Sequence, residues 1–269
     1  MEEANILKTT ATLILIALLI PTMASSAPPA REVVQASEIL ASIERGEPVF
    51  VNNLIVEGDL DYSGFEIDLS SMMGVGVGSE AATELLEAHQ AERPTLISSP
   101  IAITNSEIRG DVRFDRITFI DSVNFAGTSF TGNASFDEAR FEDQAAFLYA
   151  KFRGDASFKA ASFNDRAYFS GDHFGGRADF EGAQFKRLAG FSYAKFSEEA
   201  DFQGARFGNE ACFGGAQFKE DADFGGTEFG GFAYFGRARF SGSSSLGEAR
   251  FADIANFYSA RLADAGQGG

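Results

Sequence analysis

The chain has 269 residues and a formal charge of −17, from 22 basic and 39 acidic side chains, with 29 Phe and no Trp. That length suits one elongated domain with additions. Acidity on this scale argues against direct contact with nucleic acid or anionic lipid, and the single cysteine, Cys212, leaves no intramolecular disulfide framework.

The chain divides by composition into a leader (1–27), a linker with a short helix (28–47), irregular first coils with an insertion (48–102), a regular array (103–262) and a tail (263–269). Residues 9–23 hold an apolar block followed by Pro21 and then Ala24-Ser25-Ser26-Ala27. This reads as an export signal cleaved near Ser26 or Ala27. Glu2 and Glu3 outweigh Lys8 where a basic flank is expected, so the alternative is membrane association through an uncleaved anchor at 9–23. The apolar run is short for a span.

Residues 37–46 predict a helix capped by Ser37 and Gly46, with Ile39, Leu40 and Ile43 on one face. It is placed to cover the open end of whatever follows. Residues 48–69 predict a degenerate first coil in which Leu54, Leu60 and Phe65 keep a six-then-five spacing. An insertion at about 70–95 follows, with a helix over Ser79–Glu92, and is expected to replace one side of the second coil. As the longest departure from the array, it is a candidate binding loop. The phase returns at Ile97, Ile103 and Ile108.

From Phe114 to Leu262 large apolar residues alternate at steps of five and six, as in Phe158, Phe163, Phe169, Phe174 and Phe180. Two residues before each stands a small one, usually Ala: Ala156, Ala161, Ala167, Ala178. Positions i−2 and i share parity, so an extended segment points both inward and the residues between them outward. Short strands at a fixed period read as a solenoid. Eleven residues per coil would be too narrow for the rings, and three segments per coil would drift. Four segments give 22 residues and stack identical turns. Four columns result, beginning at Phe114, Phe119, Phe125 and Phe130. Because each second Ala is preceded by an extra residue, two opposite corners should be wider.

Segments such as Ala178-Asp179-Phe180-Glu181-Gly182 and Ala200-Asp201-Phe202-Gln203-Gly204 resemble the pentapeptide-repeat family, in an eleven-residue, Phe-rich variant. The resemblance covers about residues 103–262. It implies an all-β, right-handed quadrilateral β-helix of about 22 residues per coil, with the N-terminal capping helix and one helical insertion added. It also implies end-to-end dimers through the C-terminal coil, which the apparent lack of a covering helix after Leu262 favours here.

The outward position of the first column reads Ser157, Asp179, Asp201, Asp223, Ser245. Asp179, Asp201 and Asp223 would stack one coil apart, either as a solvated acidic stripe or, as weak candidates, as oxygen ligands for a hard cation. The fourth column reads Lys151, His173, Lys195, Gln217, Arg239, Arg261. Of these, Lys151, Lys195, Arg239 and Arg261 are candidates for an interaction surface, against ordinary solvated lysines and arginines. Asp172 stands inward where Ala is the rule and is expected to accept backbone N–H groups. An acid–base pair with His173 lacks a nucleophile, since neither Ser170 nor His89 is placed to complete one. Cys212 faces outward as an inert thiol, with an intermolecular disulfide as the alternative. Tyr149 and Tyr193 occupy equivalent positions two coils apart with Gly171 between, decorating a corner or offering a sugar-stacking platform.

No cofactor and no catalysis are expected. The leading function class is an exported structural or protein-interaction scaffold whose protein partner the residues do not name. The alternative is an acidic DNA mimic that binds a topoisomerase or another nucleic-acid-binding protein, in line with some members of the resembled family.

Overall fold

The computed structural model describes residues 31–62 and 95–263. The chain forms two compact units, Met1–Ala30 and Arg31–Gly269, and every described residue belongs to the second. The leader, Phe65 and the expected Ser79–Glu92 helix lie outside the described residues.

Four parallel sheets of nine, nine, seven and eight short strands form the four sides of a solenoid. Partners across neighbouring coils are 22 residues apart, as in Phe152↔Phe174, Ala178↔Ala200 and Phe185↔Phe207. The section is thus four-sided, with the columns the spacing predicts. Rings within a column lie parallel: Phe158 and Phe180 are 5.0 Å apart at 4°. That spacing is close to the roughly 4.8 Å between neighbouring strands, so backbone pairing sets the stacking. Rings of the first and third columns meet edge to face across the interior, as with Phe158 and Phe169 at 5.2 Å and 80°. Burying each ring contributes on the order of 1.5–3 kcal/mol. The alanines at i−2 are equally buried, Ala156 at 1% and Ala178 at 0% exposure, and leave the rings room to meet.

The corners alternate between two kinds, as the extra residue predicts. After the first and third columns the turn is short. The Ala161 N–H donates to the Phe158 carbonyl, and Ala160 between them is left-handed at φ 54°, as in a type II turn. Glycine serves at this position in Gly182, Gly204 and Gly215, but Glu138, Tyr149, Tyr193 and Arg237 take it too. After the second and fourth columns three residues separate Phe from the next inward residue, as in Asn164-Asp165-Arg166.

The N-terminal end departs from expectation in four ways. The linker ends in a strand, Val33–Gln35, paired with the strand Ile55–Glu57. Helix α1 (Ala36–Glu44) follows without a break, so Ser37 lies inside the helix and Gln35 precedes it with no side-chain cap. The strand delivers the chain straight into the helix, and Ala36, Ile39 and Ile43 are buried at the end of the solenoid. Gly46 ends the helix as expected. It is left-handed at φ 68°, its N–H donates to Ile43 and that of Glu47 to Ser42, which is a Schellman arrangement.

Third, the first coil runs in a different phase from the expected one. Val51, Val56 and Tyr62 align with Ile103, Ile108 and Phe114 and so take the large positions. Leu60 instead aligns with Val112 in the small-residue position. Leu54 likewise sits two residues before Val56 in the small position. Here an aliphatic coil lets a larger residue fill the alanine site.

Fourth, the insertion replaces no side. After the strand Leu60–Asp61 the chain returns as the strand Thr95–Ile97, paired with Ile117–Phe119 on the second side. The excursion therefore leaves from a corner, and the coil it interrupts keeps all four sides.

Candidate interaction faces

The short strands hold outward residues in straight columns, so each side of the solenoid has its own chemistry. On the first face Asp179, Asp201 and Asp223 stack as expected. Each Oδ1 accepts the N–H two residues on, from Glu181 at 2.9 Å, Gln203 at 2.9 Å and Gly225 at 2.7 Å. These are Asx turns that hold the short corner. Ligand atoms of Asp179, Glu181 and Asp201 lie within 4.8 Å of one another, so Glu181 joins the cluster and Asp223 stands outside it. Arg177 Nη2 lies 2.9 Å from Asp201 and 3.7 Å from Asp179, and Lys159 pairs with Glu181. Two cationic side chains already sit among these carboxylates.

The long corner before this face holds a second set that sequence reasoning missed. Asp59 accepts the Asp111 N–H, Asp111 that of Asn133, Asn133 that of Asp155, and Asp155 that of Arg177, at 2.8, 2.9, 3.0 and 2.9 Å. A Cβ on Gly132, Gly154 or Gly176 would meet the side-chain oxygen from the coil before at 2.4, 2.5 and 2.5 Å. The signal was present as a Gly-Asx dipeptide recurring every 22 residues: Gly110-Asp111, Gly132-Asn133, Gly154-Asp155. Part of the chain's acidity thus serves its own backbone, because corner N–H groups need acceptors.

The fourth face is the reverse. Lys151, His173, Lys195, Gln217 and Arg239 are adjacent in register, and Arg261 bridges to Arg239. Beside them stand Arg153, Lys219 and Arg237, all exposed. Among the described residues none of these seven lysines and arginines forms an ion pair. Partial burial, then Lys219, Lys195 and Lys151, hold the His173 imidazole below its ordinary range, and its Nε2 lies 3.0 Å from Ser197 Oγ.

Behind this face Asp172 is fully buried, as its place in the inward column predicts. Its Oδ1 accepts the Ala150 N–H at 2.9 Å, while Oδ2 has no hydrogen-bond partner among the described residues. Burial pushes this carboxyl well above its ordinary range, against the two backbone N–H groups of Ala150 and Tyr149. Thr128 and Thr227 stand at equivalent small positions and solve the same problem by donating to Ile103 and Phe202 carbonyls at 2.6 and 2.7 Å. Asp172 and His173 point to opposite sides of the strand, so they do not form an acid–base pair.

The third face is nearly uncharged. Cys212 lies between Gly190 and Tyr234. Burial and then Glu210 push its thiol up, which favours the protonated form over the nucleophilic thiolate. Five of the six tyrosines stand on this face or on its corner with the fourth: Tyr149, Tyr168, Tyr193, Tyr234 and Tyr258. The Tyr234 ring takes the space that side chains on Gly214 and Gly236 would fill, with a Cβ there meeting it at 2.6 and 2.4 Å.

The family model for pentapeptide repeats (9 copies) matches residues 103–151, 147–195 and 180–228. No curated protein and no solved structure matches the chain. With four parallel sheets, a 22-residue register and this match together, residues 103–228 are an array of pentapeptide repeats folded as a four-sided β-solenoid.

Proposed function

We propose that this protein is a non-catalytic interaction scaffold that works outside the cytoplasm and presents its third and fourth faces to a partner. The observation that carries this reading is the row of exposed cations that form no ion pair among the described residues, on a chain of charge −17. Carboxylates outnumber cations in this chain, yet among the described residues none forms an ion pair with these cations, and Glu107 and Arg153 attract each other across the face without contact. An interaction role gives that separation a purpose, since complementary charge steers and orients partners. The shallow depressions on the solenoid support no enclosed reaction site. One, on the first face, is lined by Glu199, Asp221, Asp223, Ser243 and Ser245, and its Ser245 hydroxyl is held in structural hydrogen bonds, donating to Asp223 and accepting the Phe224 N–H.

Export is supported by the apolar run at 9–23 and the small residues before Pro28. A dimer through the last coil is supported by the exposure of Phe257 at 38% and Leu262 at 54%. A polyanion mimic draws support from the net charge, but the fourth face interrupts its negative surface.

The test is the intact mass of the native protein from soluble, membrane and external fractions. A chain starting near Ala27 outside the cytoplasm is expected. An intact chain in the soluble cytosol overturns the export half and makes inhibition of a topoisomerase the next assay.

A further inference from the structure

Two stretches on the edge between the third and fourth faces repeat after two coils: Tyr149-Ala150-Lys151 and Tyr193-Ala194-Lys195. In the coils between them the tyrosine position is glycine, Gly171 and Gly215. Those glycines seat the rings. A Cβ on Gly171 would lie 2.5 Å from Cδ1 and Cε1 of Tyr149, and one on Gly215 would lie 2.8 Å from the same two atoms of Tyr193. The two rings therefore adopt one pose. They stay 70% and 67% exposed, and neither hydroxyl has a hydrogen-bond partner among the described residues. Both residues are left-handed, at φ 59°, a conformation that costs a bulky residue and that glycine adopts freely. Stability alone would favour glycine in every coil.

Each tyrosine has an exposed ammonium two residues on, on the neighbouring face, with no carboxylate paired to it among the described residues. One aromatic platform and one cation thus recur every second coil, about 9.6 Å apart at roughly 4.8 Å per coil. Arg237-Ala238-Arg239 continues the spacing with a guanidinium in place of the ring.

We propose that this edge binds a linear polysaccharide carrying about one acidic group per disaccharide, lying along the solenoid axis. Sugar-ring faces rest on Tyr149 and Tyr193, and the acidic groups meet Lys151 and Lys195. The inference rests on the interaction-scaffold reading and names the ligand class. A nucleic acid fits less well: it carries one phosphate about every 3.4 Å of strand, so cations every second coil would leave most of them unmet. A bilayer surface would also press on Glu198 and Glu199, which lie exposed at the far corner of the fourth face.

The test measures retention of the full chain on immobilised hyaluronan, which has one carboxylate per disaccharide. Neutral dextran, single-stranded oligothymidine and phosphatidylglycerol vesicles serve as comparators. Tyr149→Gly with Tyr193→Gly copies the alternate coils and so keeps the fold. That pair is expected to weaken hyaluronan binding at least tenfold with no loss of melting temperature. Lys151→Gln with Lys195→Gln is expected to weaken it similarly and to flatten its salt dependence, while Lys186→Gln on the second face leaves it unchanged. The proposal is overturned if hyaluronan is not retained. Equal retention of oligothymidine or vesicles, or wild-type binding by both double variants, overturns it as well. Such a failure leaves the scaffold reading standing if the protein is still found outside the cytoplasm.

Discussion

The first and fourth faces are built from the same 22-residue repeat and the same strand geometry, yet they use charge in opposite ways. On the first face the acidic groups are tied to the fold. Asp201 is 8% exposed, accepts the Gln203 N–H and pairs with Arg177 at 2.9 Å. On the fourth face Lys151 and Lys195 reach into solvent and form no ion pair among the described residues. A polar group that satisfies backbone amides is part of the structure. One that satisfies nothing within the chain is available to something outside it.

The largest effect is expected behind the fourth face, at Asp172. In the unfolded chain this carboxyl ionises near pH 4. Burial keeps it protonated in the native chain to well above that value. The native state therefore holds an extra proton over that interval, and stability falls as pH rises through it. Asp172→Ala restores the residue found in neighbouring coils, and the Ala150 N–H keeps its bond to Phe147. The variant should be more stable by about 2 kcal/mol at pH 7, with the gain shrinking toward pH 4. Denaturant midpoints at the two pH values check this. A loss of stability at pH 7 would mean the carboxyl is serving the fold, like those of the first face.

A smaller loss is expected for Asp201→Ala, about 1–2 kcal/mol, because it strands the Gln203 N–H and frees Arg177. Smallest of all is the paired change Lys151→Gln and Lys195→Gln, within about 0.5 kcal/mol. Were the lysine pair to cost as much as Asp201, the contrast between the faces would collapse and the basic column would be structural. Equilibrium unfolding of the three variants side by side decides it.

Much of the fold was legible in the chain itself, because a periodic sequence has little choice of geometry. A ring every five then six residues, with a small residue two before it, sets the parity of each segment. Identical corners stack only if the coil holds 22 residues. The columns, the inward place of Asp172, the acidic and basic rows and the Gly46 cap all follow from that local regularity. Tertiary packing decided the rest. The first coil is aliphatic, so its spacing alone did not show that Val51, Val56 and Tyr62, rather than Leu54 and Leu60, take the large positions; only pairing to the next coil sets that phase. The Gly-Asx corner ladder, the orphaned Asp172 Oδ2, the seating of Tyr149 on Gly171 and the lack of ion pairs for the fourth-face cations among the described residues are relations between coils. They depend on which atoms meet 22 residues apart, and a linear reading of residue types does not measure those distances.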